Sequence, residues 1–146
     1  MIAATNDVIT AYNDAASRGP PDFLNLGGGE IGGRTLTRGV YKWTTSVTVT
    51  AADATISGSS TDVWIFQSTG FLSVANGKKV ILVGGALAKN VFWQVAGGAN
   101  VGTTGHLEGI VLSKTTGVLQ TGASMNGRIL AQTAVTFQKA TLIQPS

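Results

Sequence analysis

Residues 103–138 are two segments of 18 residues set head to tail, TTGHLEGIVLSKTTGVLQ from Thr103 and TGASMNGRILAQTAVTFQ from Thr121. Gly109 coincides with Gly127, Leu112 with Leu130, Thr115 with Thr133 and Gln120 with Gln138. A weaker echo lies upstream, where Ile65-Phe66-Gln67-Ser68-Thr69-Gly70 resembles Phe92-Trp93-Gln94-Val95-Ala96-Gly97. A repeat this short cannot bury its own apolar side chains and must stack on its neighbours, which predicts a β-solenoid. Such a stack shows the same surface positions at a fixed spacing, an arrangement suited to a regular partner.

The chain is long enough for one domain with a real core, and residues 1–146 are read as a single unit. Charged residues make up 12% and glycine occurs 20 times, as expected of an all-β protein built on tight turns. The apolar share of 43% argues against disorder. The net charge is +3, but only Lys78 and Lys79 are adjacent, so there is no basic patch for a nucleic acid. Without cysteine, disulfides and thiolate metal sites are excluded. No apolar run reaches the roughly 20 residues of a membrane span. Met1-Ile2-Ala3-Ala4-Thr5 lacks the basic start and apolar middle of a secretory leader.

Residues 2–17 are expected to form one helix, with Thr5, Asn6 and Asp7 near its start and Ile9, Tyr12 and Ala16 at helical spacing. Gly19-Pro20-Pro21 ends it. Residues 22–39 read as an irregular connection rich in glycine. The run Gly27-Gly28-Gly29 would need a strand before it and a helix after it to cradle phosphate, and strands follow instead.

From residue 40 to 143, short alternating segments between Gly, Asn, Asp and Thr fall on three faces. The first holds 63–68, 91–95, 109–113 and 127–131. The second holds 46–50, 71–75, 99–103, 116–120 and 134–138. The third holds 54–57, 80–83, 105–108 and 123–126. On the second face Val47, Val49, Leu72, Val74, Ala99, Val101, Leu119, Val135 and Phe137 point inward. The outward column is then Thr48, Ser73, Asn100, Val118 and Thr136, flanked by Thr50, Thr116 and Thr133, with no charge in these strands. Trp64, Phe66 and Trp93 alternate along the first face, whose two sides both read as apolar, so the helix is expected to cover it.

Several segments resemble the microbial ice-binding proteins of the DUF3494 family. They include Gly39-Val40-Tyr41-Lys42-Trp43, Asp62-Val63-Trp64-Ile65-Phe66-Gln67, Gly77-Lys78-Lys79-Val80 and Ala88-Lys89-Asn90-Val91-Phe92-Trp93-Gln94. Glu108-Gly109-Ile110, Asn126-Gly127-Arg128-Ile129-Leu130-Ala131-Gln132-Thr133, Ala11-Tyr12-Asn13-Asp14-Ala15-Ala16 and Pro21-Asp22-Phe23-Leu24-Asn25-Leu26 fit the same pattern, in the same order. The resemblance implies an irregular, three-faced, right-handed β-solenoid with a long α-helix packed alongside. It also implies adsorption to ice, inhibition of ice growth and recrystallisation, secretion, and no cofactor or metal.

The family's binding face carries a Thr-Ala/Gly-X-Thr/Asn pattern. Thr133-Ala134-Val135-Thr136 matches it in full, and Thr45-Ser46-Val47-Thr48 matches with Ser at the second place. Gly97-Gly98-Ala99-Asn100 lacks the first Thr, and Thr115-Thr116-Gly117-Val118 departs at the second and last places. The implied ice-contact set is Thr45, Ser46, Thr48, Thr50, Ser73, Asn100, Thr116, Val118, Thr133 and Thr136. Family members have further coils ahead of the helix, whereas this chain starts almost at it. The last coil, 133–143, is therefore expected to leave Val135 and Phe137 at an open end, which a second chain or self-association would cover unless the chain has repacked or has been shortened from a longer protein.

Two other classes compete. A polysaccharide-acting enzyme would need paired carboxylates or an acid–base pair, and its candidates are Asp53, Asp62, Glu108 and His106, the last two pointing the same way on one strand. A metal would want more ligands than these, so a solvated surface pair is the expectation. A carbohydrate-binding or adhesive module would use exposed rings, but Trp43, Trp64 and Trp93 are assigned to the core or the surface beneath the helix.

Overall fold

The computed structural model describes residues 22–137 and 141–143; the helix expected over residues 2–17 lies outside them. The described chain winds through short strands: β1 (Phe23–Leu24), β2 (Thr35–Leu36), β3 (Gly39–Trp43), β4 (Val47–Val49), β5 (Ala54–Ser57), β6 (Trp64–Ser68), β7 (Leu72–Val74) and β8 (Val80–Val83). There follow β9 (Val91–Val95), β10 (Ala99–Val101), β11 (His106–Ser113), β12 (Thr116–Leu119), β13 (Ser124–Ala131), β14 (Ala134–Phe137) and β15 (Thr141–Ile143). They form a seven-stranded sheet in the order β1-β3-β6-β9-β11-β13-β15, a five-stranded sheet β14-β12-β10-β7-β4 and a three-stranded sheet β2-β5-β8. Every strand pair is parallel. Parallel pairing of successive turns of one chain is the signature of a solenoid, so the all-β stacked fold read from the repeat is present.

Two boundaries differ from the sequence reading. Residues 22–39, expected to be a connection, form a coil of their own. Phe23 pairs with Tyr41, Glu30 bridges to Thr48 and Thr35 pairs with Thr55, which gives one contact to each sheet. Glycine-rich sequence hid this coil, because so few side chains alternate there. The segments 105–108 and 123–126, assigned to a separate third face, are continuous with the first-face strands. His106 bridges to Lys79 next to the three-stranded sheet, while Ile110 onward pairs with Phe92 in the seven-stranded one. The chain turns this corner inside β11 and β13 without a loop, at Gly109 (φ 121°) and Gly127 (φ 152°). A Cβ on Gly127 would lie 1.8 Å from the Gly109 carbonyl oxygen, so side chains are excluded where the two corners stack.

The core is a set of ladders running along the stack. Phe23, Tyr41, Phe66 and Trp93 are register partners, with ring centroids 4.3, 5.1 and 4.2 Å apart. Trp43, Trp64 and Trp93 are all buried, as expected. Their indole N–H groups donate to the carbonyls of Leu26, Leu36 and Glu108 at 2.8, 3.2 and 2.9 Å. Each ring thereby fills the interior while its one polar atom is satisfied. Under the five-stranded sheet, Val47, Leu72 and Ala99 form one buried ladder and Val49, Val74, Val101 and Leu119 another. Alternation then forces residues 48, 73, 100, 118 and 136 outward.

Candidate functional site

The five-stranded sheet carries the candidate site. Its strands read VTV, LSV, ANV, TGVL and AVTF and contain no charged residue. Thr48, Ser73, Asn100, Val118 and Thr136 are direct register partners in one outward column. Neighbouring rungs of such a ladder lie about 4.8 Å apart. Thr136 is exposed and the other four are half-buried.

Thr45, Ser46, Thr116 and Thr133 flank this column at the strand entrances, where Thr45 and Thr133 are exposed. The corner is held from inside by two buried serines. Ser68 Oγ donates to the Thr45 carbonyl at 2.8 Å, and Ser113 Oγ lies 2.9 Å from the carbonyls of Gly97 and Thr116. The missing threonines of the middle coils have a steric cause. A Cβ on Gly70 would lie 2.3 Å from Ser46 Oγ, and one on Gly97 would lie 3.0 Å from the Gly70 carbonyl oxygen. The backbones are too close there for a branched side chain.

Three participants escaped the sequence reading. Phe71 sits in the flanking row beside Ser46 and is 48% exposed, so an aromatic ring borders the threonine column. Aligning Gly70-Phe71-Leu72-Ser73 with Thr45-Ser46-Val47-Thr48 would have placed it there. Gln120 donates from Nε2 to Asn100 Oδ1 at 3.1 Å, while Thr103 Oγ1 donates to Gln120 Oε1 at 3.4 Å. This chain leaves the Asn100 amide nitrogen as the group with free hydrogens.

Glu30 is the third. Its carboxylate accepts from Gly32 N at 2.9 Å, Thr50 N at 3.0 Å and Thr48 Oγ1 at 3.1 Å, and also from Thr50 Oγ1. Thr48 and Thr50, both assigned to the site, are thus tied to a carboxylate at the edge of the sheet. Partial burial pushes this carboxyl up, but the Thr50 hydroxyl and N–H, the Gly32 N–H and the Thr48 hydroxyl outweigh it and hold the pKa at about 2. In an unfolded chain the group would titrate near 4.3. A depressed native pKa adds stability that is fully present above about pH 4.3 and lost as pH falls through about 2. We expect urea denaturation to show a loss of about 1 kcal/mol across that window, after allowance for solvent screening. Glu30→Gln should flatten that part of the profile.

The residues considered for catalysis do not converge on a substrate cleft. Asp53 Oδ1 accepts from Lys79 N at 2.9 Å, and Asp62 Oδ2 accepts from Ser59 N at 2.9 Å. His106 and Glu108 do point the same way, with Nε2 3.2 Å from Glu108 Oε2. Ser124 Oγ lies 2.7 Å from His106 Nδ1, and Asn126 Nδ2 donates to Glu108 Oε1 at 3.1 Å. The pair is less solvated than expected, since Glu108 is buried. Its polar atoms are occupied by one another across two coils.

The model of the ice-binding-like family matches residues 1–143. The chain belongs to the ice-binding-like family. An ice-binding protein of Flavobacterium frigoris (strain PS1) is 53% identical over 145 residues, which cover 99% of this chain and 52% of that protein. One from a Colwellia species is 56% identical over 143 residues, covering 98% and 56%. The chain therefore spans about half the length of these curated relatives. The crystal structure of an ice-binding protein from an Arctic yeast, LeIBP, superposes with a TM-score of 0.96 at 47% identity, over 99% of this chain and 63% of that one. The family is one of ice-binding proteins and not of enzymes.

Proposed function

We propose that this chain adsorbs to ice through the five-stranded sheet and so inhibits ice growth and recrystallisation. The observation that carries the reading is the uncharged column Thr48-Ser73-Asn100-Val118-Thr136, one residue per coil and in register. Repetition at about 4.8 Å along the stack, and at roughly 6.7 Å between alternate residues of a strand, forms a grid that can order a layer of water. Threonine suits the grid because its β-branched side chain is stiff and carries both a methyl and a hydroxyl. A charged group would hold a hydration shell of its own, and the strands contain none.

The protein acts by adsorption, with no turnover, no cofactor and no metal. Sugar recognition is the weaker reading, because the three tryptophans that would serve as platforms are buried. Its place of work is outside the cell. The coil winds right-handed, the hand that parallel crossovers adopt. On the outward side of the seven-stranded sheet, Ile65, Phe92, Ile110 and Leu130 gather around buried Leu112. At the β14 edge of the five-stranded sheet Val135, an inward position of that strand, is 41% exposed. A second chain or self-association covers it, and light scattering at rising concentration reads that association.

The deciding experiment is nanolitre osmometry with crystal imaging on the folded chain. Thermal hysteresis with faceted crystals is the expected outcome. Round crystals and a freezing point equal to the melting point would overturn the reading.

A further inference from the structure

Glu30 occupies the rung next to Thr48, and so stands at the end of a face otherwise free of charge. A carboxylate in open water would carry a hydration shell into the contact. Here its lone pairs are taken up from within. The backbone N–H groups of Gly32 and Thr50 and the hydroxyls of Thr48 and Thr50 all donate to it, and Ala51 N approaches at 3.5 Å. A Cβ on Gly32 would lie 2.5 Å from both Glu30 Oε2 and the Ala52 carbonyl oxygen, so no side chain fits between the carboxylate and the next coil. A hydroxyl has one proton and two lone pairs, so a threonine that gives its proton to Glu30 can meet water only as an acceptor.

We propose that Glu30 is a positioning residue for ice adsorption: it takes the hydroxyl protons of Thr48 and Thr50, fixes both side chains, and turns this edge of the face into methyl groups and oxygen acceptors. Gln120 acts on Asn100 in the opposite sense, leaving N–H donors outward two rungs further along. The face then has a set hydrogen-bond polarity, acceptors at Thr48 and donors at Asn100, and fewer rotamers to freeze on contact. The inference rests on the five-stranded sheet being the ice-contacting face.

The test compares wild type with Glu30→Gln, whose amide puts N–H groups where the structure needs an acceptor. In wild type, nuclear magnetic resonance should detect slowly exchanging hydroxyl protons on Thr48 and Thr50 and a single χ1 for each. In Glu30→Gln those signals vanish, and about threefold more protein is needed for the same thermal hysteresis, the effect of freezing side chains that were fixed before. A folded Glu30→Gln with wild-type hysteresis would overturn the proposal and leave ice binding intact. Hydroxyl protons that exchange freely in wild type would overturn it even if the variant fails to fold. A wild type with no hysteresis would remove both readings together.

Discussion

A tyrosine at Ser73 raises the protein concentration needed for a given thermal hysteresis at least about tenfold, equivalent to ~1.4 kcal/mol of adsorption free energy, while the fold stays intact. Ser73 sits on β7 between Thr48 and Asn100, so a ring placed there stands above both rungs and lifts an ice plane away from them. The backbone of β7 bonds to its neighbours through atoms that the substitution does not touch, and Ser73 is only half-buried, so stability should move by about 0.5 kcal/mol or less. Thr48→Tyr and Thr136→Tyr, at the two ends of the column, should act in the same direction with smaller effect. Thr55→Tyr is the control. It lies on β5 in the three-stranded sheet, half-buried between Thr35 and Ile81, and should leave hysteresis unchanged. A Ser73→Tyr protein that is fully active, beside a Thr55→Tyr protein that is not, would move the contact to the other face.

Gly127→Ala should remove about 4 kcal/mol or more of stability, as measured by chemical denaturation, because the clash is with backbone and nothing nearby can yield. The new methyl carbon would fall 1.8 Å from the Gly109 carbonyl oxygen in the coil below, at a φ of 152° that L-residues rarely adopt. Domains of this size hold about 5–15 kcal/mol in all, so the variant should be largely unfolded or aggregated at ambient temperature. Gly28→Ala separates strain from crowding. Its φ is 66° but nothing lies within 4 Å of the added carbon, so it should lose only about 1 kcal/mol. Equal losses at the two positions would mean that the corners of β11 and β13 open without effect on the stack.

The outward column was legible from sequence because alternation and repetition point to the same residues. Once Val47, Val49, Leu72, Val74 and Leu119 are assigned inward, period two leaves no other place for Thr48, Ser73 and Val118. The first coil was not legible, because Gly27-Gly28-Gly29-Glu30-Ile31-Gly32-Gly33 has too few side chains to show a period. Glu30 was lost with it, although its carboxylate ties Thr48 and Thr50 together at the edge of the sheet. The continuous strands β11 and β13 were divided for a different reason. Gly109 and Gly127 align in the repeat and look like punctuation between strands, whereas their positive φ lets one strand bend through a corner. The family resemblance pointed to this face as well, and it gave no reason for the absent threonines. That reason lies in the close approach of Gly70 to Ser46 and of Gly97 to Gly70.

The match between His106–Ser113 and Ser124–Ala131, eight residue pairs without a slip, makes the molecule extensible. A duplicate of residues 121–138 inserted after Gln120 would find residues 103–120, the neighbour that the unit already has, on one side and a second copy of itself on the other. Each such insertion adds one rung of about 4.8 Å to the column and repeats a turn, a corner and a set of core residues of kinds the stack already holds. On the proposed reading, the footprint on an ice crystal is therefore a length that gene duplication can adjust in whole steps, separately from the chemistry of any single rung.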